Sequence, residues 1–478
     1  SMVRSSSKAM RKMEEFSFLV TAGKILAALS KRNQRSIASL PNGKIPVIFD
    51  SFLLYTKKRR LSISLRIFPG EGAGKTEIVF NKDGGENFRL FGIRYKHQRK
   101  TSETEKKALL FCGESCKMEQ NDWGFSESVR GVLLLMEKKY GVVLIGCGHI
   151  GQAHIEDIYY RDPVRIVGVV DYHEETARLF ARKYGAESWS TDYHEYLKRP
   201  DVDIVIVATY ATTHLQIVKD CIAAGKHVLC EKPMTKADPE AAREFYELAK
   251  KAPVKILIAH ILRHNSTYNR VAQMIHDGAI GEVKLIRMAQ NHHIMNKARY
   301  DRLMEDCPPF VDCGVHYVDV IRWFTGSNVV SIGGLGVRIG KEIPEGHFDY
   351  GLLTMTLENG AKAYYEAGWA ESVAAENRKE FVGTKGRIRL ILQCDRMSDR
   401  EEGDLIEYYD AENKVYHIIN NPSVYKNMWG QLSCLIGMIE GKEEPNPTLD
   451  EAYEAFRIVL AGTKALKENR VVSMSEEL

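Results

Sequence analysis

Apolar and polar positions along the 478-residue chain follow three successive regimes. From about residue 140 to 260, apolar residues cluster in short, nearly continuous runs at 142–145, 164–170, 202–208, 227–230 and 256–259. Segments with helical spacing separate these runs, as at 174–184 and 214–224. Continuous apolar strands alternating with helices are the signature of a parallel sheet covered on both faces. Beyond residue 262 the period changes. Runs at 282–291, 329–337, 349–358, 361–369, 379–382 and 387–392 read as strands, several of them alternating apolar with polar. Consecutive strands without intervening helices predict an open, mostly antiparallel sheet. Before residue 135, shorter strand-like runs at 47–55, 61–68, 77–80 and 88–95 are punctuated by Asn42-Gly43, Pro69-Gly70 and Asp83-Gly84-Gly85. The expected fold is therefore α/β: a doubly wound Rossmann sheet over 136–260, an α+β domain over 261–478, and an extension over 1–135. The pattern leaves that extension open between a partly β module and disorder.

The transition at the first apolar run carries the most chemistry. It ends in Gly146-Cys147-Gly148-His149-Ile150-Gly151 and passes directly into a helical segment. A strand opening into a helix through Gly-x-Gly-x-x-Gly is the dinucleotide-binding arrangement. Gly146 permits the tight turn, Gly148 lets the backbone approach a pyrophosphate, and Gly151 lets helix and strand pack closely. The phosphates would sit at a helix N-terminus, where open N–H groups and the dipole favour negative charge. Asp171 follows the next strand, 20 residues after Gly151. A carboxylate there accepts hydrogen bonds from ribose hydroxyls and disfavours a 2′-phosphate, which selects NAD over NADP. Thr209 and His214, and then Glu231-Lys232-Pro233, fall at the C-terminal ends of later strands, where open α/β sheets bind ligands.

Charge distinguishes the extension from the rest. Residues 1–140 hold 27 Lys and Arg against 14 Asp and Glu, while the remainder holds 40 against 49. Met136 to Tyr140 reads as the natural start of the nucleotide-binding unit, with 1–135 appended. Residues 1–35 resemble a targeting leader only loosely, because Glu14, Glu15 and Lys24 interrupt the pattern. The glycine-rich 70–76 misses a P-loop because Pro69 stands where its first glycine belongs. Lys57-Lys58-Arg59-Arg60 is a short basic run without interleaved aromatics, so no nucleic-acid partner is expected. The nine cysteines are odd in number and scattered through apolar segments. That suits a reducing, cytoplasmic setting. Cys112 and Cys116 lack a second pair, so no metal site is expected. No apolar run reaches the ~18–20 residues needed to cross a bilayer, and no membrane partner is expected.

Asp312, His316, Asp319 and Trp323 recur at spacings of four, three and four within a helical segment at 310–324 that ends before Gly326. They therefore share one face. From spacing alone, this stripe is equally a core histidine bonded to a neighbouring acid. The chain closes on Thr448-Leu449-Asp450-Glu451, a capping box, followed by a core stripe of Ala452, Ala455, Phe456, Val459 and Leu460.

The glycine turn, Ala224-Gly225-Lys226-His227-Val228 leading into Glu231-Lys232-Pro233, and Asp312-Cys313-Gly314-Val315-His316-Tyr317-Val318-Asp319 together resemble the Gfo/Idh/MocA oxidoreductases. The resemblance runs from about Lys139 to the C-terminus and implies an NAD-dependent enzyme acting on a secondary hydroxyl of a sugar, inositol or related polyol. It implies His316 as general base, Lys232 as donor to the hydroxyl oxygen, and Asp312 as the orienting carboxylate. Gly146, Gly148, His149, Ile150, Gly151, Asp171, Thr209, His214, Glu231 and Lys232 would hold the cofactor. Arg263, His293, Asp319 and Trp369, with His264 and His292 nearby, are expected around the substrate. The family's sheet commonly packs on another subunit, which implies a homodimer or homotetramer. Two alternatives stay open: a glycosidase working through transient oxidation and elimination, as some relatives do, and a non-catalytic NAD-binding regulator. This chain departs from the family in its Cys307-Pro308-Pro309 entry to the histidine helix, where a glycine-rich approach is usual.

Overall fold

The computed structural model describes residues 47–57, 60–69, 75–82, 88–96, 139–292, 297–341, 343, 345–393, 403–424 and 426–476. The chain separates into two compact units, Ser1–Ser128 and Val129–Leu478. In the first, β1 (Val47–Lys57), β2 (Arg60–Pro69), β3 (Lys75–Lys82) and β4 (Phe88–Lys96) form an antiparallel sheet in that order. These are the four strand-like runs of the pattern, and Lys57 of β1 pairs with Arg60 of β2. Residues 1–35, Lys58, Arg59, the glycine-rich 70–74, Cys112, Cys116 and Met136 lie outside the described residues.

The second unit opens with β5 (Tyr140–Ile145), α1 (His149–Ile158), β6 (Val164–Val170), α2 (Glu174–Tyr184), β7 (Trp189–Ser190) and α3 (His194–Leu197). It continues with β8 (Ile204–Val207), α4 (Ala211–Ala223), β9 (His227–Glu231), α5 (Pro239–Lys251) and β10 (Ile256–Ala259). The six strands are parallel, in the order β10-β9-β8-β5-β6-β7. Their burial explains the nearly continuous apolar runs. Val143 and Ile145 pack into one core layer, and Val142 and Leu144 into the other, with Ile155 and Ile158 of α1. Each such side chain removed from water stabilises the sheet by about 1.5–3 kcal/mol. The strand order reverses at β5, so a crevice opens beyond the C-terminal ends of β5 and β8. α5 starts at an Asp-Pro pair: Asp238 accepts from the backbone N–H groups of Glu240 and Ala241.

After a 3-10 turn at Ile261–His264 come α6 (Ser266–His276), β11 (Val283–Asn291), α7 (Lys297–Asp306), α8 (Pro309–Asp312) and α9 (Gly314–Thr325). Then follow β12 (Val329–Val337), β13 (Tyr350–Leu357), β14 (Lys362–Gly368), β15 (Lys379–Gly383), β16 (Gly386–Ile391), β17 (Asp404–Asp410) and β18 (Val415–Asn421). The chain ends with α10 (Met428–Glu440), α11 (Leu449–Glu468) and β19 (Val472–Ser473). The sheet of nine strands is antiparallel except where β11 runs parallel to β14. Alternate residues Leu353, Met355, Ala363 and Tyr365 are buried in the same core as α9 and α11. The predicted capping box starts α11, with Thr448 and Glu451 bonded reciprocally. Between residue 392 and the capping box, the pattern does not show β17, β18 or α10. Leu432 and Leu435 of α10 pack with Val142, Leu144 and Ile155, so the end of the chain returns to cover the nucleotide sheet.

Candidate active site

Five of the six strands of the parallel sheet carry a candidate residue just beyond the C-terminal end: Gly146 after β5, Asp171 after β6, Thr209 after β8, Lys232 after β9 and His260 after β10. Gly146 adopts φ +98°, and a Cβ there would lie 2.5 Å from the Ala208 carbonyl oxygen. A Cβ on Gly151 would lie 1.9 Å from the Gly146 carbonyl oxygen, so only glycine lets α1 approach so closely. Gly148 differs, since a Cβ there would meet nothing within 4 Å. The turn thus leaves an open cradle beside His149 and Ile150, at a helix start without a side-chain cap. Asp171 is fixed at its rim, its two oxygens accepting from Cys147 N and His173 N at 2.9 Å each. One lone pair per oxygen remains for ribose hydroxyls. An open glycine cradle, an uncapped helix start and an anchored acid together fit a dinucleotide.

Two expected cofactor residues are turned inward. His214 is buried, with Nδ1 3.0 Å from the Pro233 carbonyl oxygen and Nε2 3.2 Å from that of Thr209. It ties the loop after β8 to the loop after β9, and burial lowers its pKa. Glu231 is also buried. Its Oε1 lies 2.7 Å from Nε2 of the fully buried His154 on α1, and its Oε2 accepts from Lys232 N. Burial alone would raise the Glu231 pKa, but the bond and charge of His154 hold it down. Both residues set the shape of the site from behind. Sequence reading missed His154, although its place three residues after Gly151, beside buried Ile155, was a signal. Thr209 remains at the edge, its Oγ1 2.7 Å from that of Thr213.

Lys232, Asp312 and His316 come together. The Lys232 ammonium donates to Asp312 Oδ1 and to the Asp312 carbonyl oxygen, both at 3.0 Å. The expected single helix at 310–324 is broken here into α8 and α9. His316 N reaches back to the Cys313 carbonyl at 3.2 Å, and the Asp312 carbonyl is left for the lysine. Burial would depress the Lys232 pKa, yet the neighbouring Asp312 carboxylate raises it above its ordinary value. The lysine is therefore held as a cation, which suits it to donate hydrogen bonds. His316 is pushed the other way: burial, then the charges of Lys232 and His260, lower its pKa well below the usual histidine value. A neutral imidazole can accept a proton at neutral pH. Its Nδ1 is buried without a hydrogen-bond partner among the described residues, while the ring as a whole is only half-buried.

Asp306, the last residue of α7, seats this region on the nucleotide sheet. Its carboxylate accepts from Ala211 N at 2.7 Å and Thr212 N at 2.9 Å, capping α4 from outside. Cysteine chemistry is disfavoured at the site. Burial, with help from Asp171, pushes the Cys147 thiol up to about 12, and burial beside Asp312 raises Cys313 as well.

The expected substrate residues resolve differently. Arg263 and Asp319 form a bidentate pair, Nε to Oδ2 and a terminal nitrogen to Oδ1, each at 2.8 Å. Their side chains are 4% and 1% exposed, and the Trp323 ring lies 5.1 Å from the guanidinium carbon. Glu451 approaches the same guanidinium at 3.1 Å, and His260 Nδ1 lies 3.3 Å from Asp319. Burial would raise the Asp319 pKa, but His260 and Arg263 drive it far down. The pair therefore belongs to the core beneath the site. His264 is held by the Asn446 carbonyl at 2.8 Å. Trp369 is buried against His292 and Tyr300. His293 lies outside the described residues.

A family model for an oxidoreductase family with an NAD-binding Rossmann fold matches residues 140–260, and the GFO/IDH/MocA C-terminal domain matches 268–389. Together these matches span just over half of the chain. The chain belongs to the Gfo/Idh/MocA oxidoreductase family. Among curated family members, the myo-inositol 2-dehydrogenase of Thermotoga maritima is 26% identical over 338 residues, covering 70% of this chain and 98% of that protein. The scyllo-inositol 2-dehydrogenase (NAD(+)) of Bacillus subtilis is 27% identical over 256 residues, covering 53% of this chain and 74% of that protein. Among solved structures, scyllo-inositol dehydrogenase from Lactobacillus casei with bound NAD(H) and scyllo-inositol superposes with a TM-score of 0.57 at 22% identity. It covers 71% of this chain and all of that one. Aldose-aldose oxidoreductase from Caulobacter crescentus, complexed with glycerol, gives 0.62 at 22% identity, covering 70% of this chain and all of that one. The family fold thus accounts for the second unit. Among the described residues, no helix is long and apolar enough to cross a membrane.

Proposed function

We propose that this chain is an NAD-dependent oxidoreductase acting on a secondary hydroxyl of a sugar, inositol or related polyol. The observation that carries the reading is the joining of the Lys232 ammonium to Asp312 near His316, at the same sheet edge as the glycine cradle. The substrate hydroxyl sits between Lys232 and His316. His316 takes the hydroxyl proton, and Lys232 donates to the oxygen as negative charge develops there. Asp312 orients the ammonium by accepting from it. A bound nicotinamide supplies the acceptor for the electron pair leaving the carbon. Gly146, Gly148, Gly151 and Asp171 hold the cofactor, and the Asp171 carboxylate repels a 2′-phosphate, which favours NAD over NADP.

Two relatives are named as inositol dehydrogenases, which supports a cyclic polyol as substrate. Leu285, Val330, Leu335 and Val337 of the nine-stranded sheet stay exposed, which suits packing against a second copy in a homodimer or homotetramer. Six described cysteines are free and buried, in keeping with a reducing cytoplasm. The test is to supply NAD with inositols and free sugars and follow the absorbance of reduced cofactor. His316→Ala should lower turnover by about a hundredfold or more and leave NAD affinity intact. Unchanged turnover would remove His316 from its role.

A further inference from the structure

The segment entering α10 carries a lysine that neither the glycine motif nor the histidine helix accounts for. Two sets of contacts fix its position. On one side, Asn427 caps α10 by accepting from Gly430 N at 2.8 Å, and its amide donates to the His264 carbonyl at 2.9 Å. On the other side, Trp429 N donates to Asp157 of α1 at 2.8 Å, and Arg161 lies over the Trp429 ring. Behind them, Leu432 and Leu435 are buried against the nucleotide sheet. The entry to α10 is thus pinned to α1, although 277 residues separate Lys426 from His149.

The outcome is that Lys426 Nζ lies 3.3 Å from Nε2 of His149, the first residue of α1, within the glycine turn. Its charge also reaches the catalytic region, being one of the influences that lower the His316 pKa. A cation stands near both the cradle and the base. An imidazole nitrogen is a modest partner for an ammonium. A phosphate oxygen forms the stronger, charge-assisted bond, and the N-terminus of α1 favours an anion at the same place.

We propose that Lys426 is a cofactor-binding residue, donating to the dinucleotide pyrophosphate over the Gly146–Gly151 turn from outside the Rossmann segment. The inference rests on the cofactor reading above and extends it. The lysine leaves His149 for a pyrophosphate oxygen, so the two phosphates are held from both sides. The helix N-terminus and glycine backbone approach from one side, and the start of α10 from the other. Because α10 also covers the sheet, cofactor binding then clamps the end of the chain onto the nucleotide segment.

The test is binding by the full chain, read from the fluorescence of NADH and by competition with ADP and with adenosine. Lys426→Met should weaken NADH and ADP about tenfold or more, the scale of one hydrogen bond to a charged group, and leave adenosine unchanged. Lys426→Arg should restore most of the affinity. The salt dependence of NADH binding should be shallower in the Met variant than in the native chain. Native affinity for NADH and ADP in the Met variant would overturn the proposal. So would a loss confined to NADH with ADP unaffected, because the contact would then lie in the nicotinamide half. A native chain that binds no NADH would instead refute the cofactor reading itself. Should Lys426→Met unfold at a lower temperature than the native chain, Lys426→Gln is measured beside it. Native ADP affinity in that variant is equally fatal.

Discussion

Asp319→Asn separates a buried structural ion pair from a substrate ligand. In the native chain the Asp319 carboxylate receives two parallel bonds from Arg263 at 2.8 Å, with both side chains almost wholly buried. The substitution removes the negative charge but leaves the guanidinium in place. Its remaining anionic contact is Glu451 at 3.1 Å, whose side chain is 37% exposed and correspondingly screened. Breaking a buried pair from one side costs about 3–5 kcal/mol. Partial compensation by Glu451 places this case at the lower end. At roughly 2 °C per kcal/mol for a large unit, the unfolding temperature should fall by about 5–8 °C. Thermal unfolding followed by circular dichroism reads this directly, with polyol KM and NADH affinity measured on the folded variant below the transition. The expected result is a lowered melting temperature with little change in KM. An unchanged melting temperature with a raised KM would refute the placement of this pair in the core and return Asp319 to the substrate.

This pair also marks where sequence reading reached its limit. Gly146, Gly148, Gly151 and Asp171 were legible because local spacing between a strand, a turn and a helix marks them. His316, Asp319 and Trp323 were legible as one helical stripe, but Asp312 lies across a break, at the end of α8. Spacing names a face, however, and not the partner across from it. Arg263 arrives from the turn after β10, and nothing near Asp319 announces it. The break at Cys313 was likewise hidden, because it depends on Lys232 capturing the Asp312 carbonyl from another strand. Glu231 lies beside Lys232 at a ligand-binding edge, yet a histidine on α1 draws it inward. Lys426 was invisible for the same reason: its nearness to the glycine turn comes from α10 folding back.

Two further outcomes bear on the site. Gly148→Ala should fold like the native chain, since its Cβ meets open space, but bind NADH more weakly because that space is where phosphates approach. Gly151→Ala should destabilise the protein as well, because its Cβ would lie 1.9 Å from a carbonyl oxygen. Equal melting temperatures for the two variants would contradict this division. The pH profile of polyol oxidation should follow neutral His316. With its pKa held below the ordinary value near ~6.5, kcat/KM should stay level from neutral pH downward through that value and fall only at more acidic pH. An acidic limb centred above the ordinary histidine value would contradict a depressed imidazole.

The most direct measurement uses the full chain, NAD and an inositol carrying deuterium on the carbon to be oxidised. The account predicts that reduced nicotinamide accumulates, that it contains the deuterium, and that the rate falls relative to the unlabelled polyol when chemistry limits turnover. Reduced cofactor without label, or no reduced cofactor with any inositol or sugar in the panel, would contradict an enzyme that moves hydride from a polyol carbon to NAD.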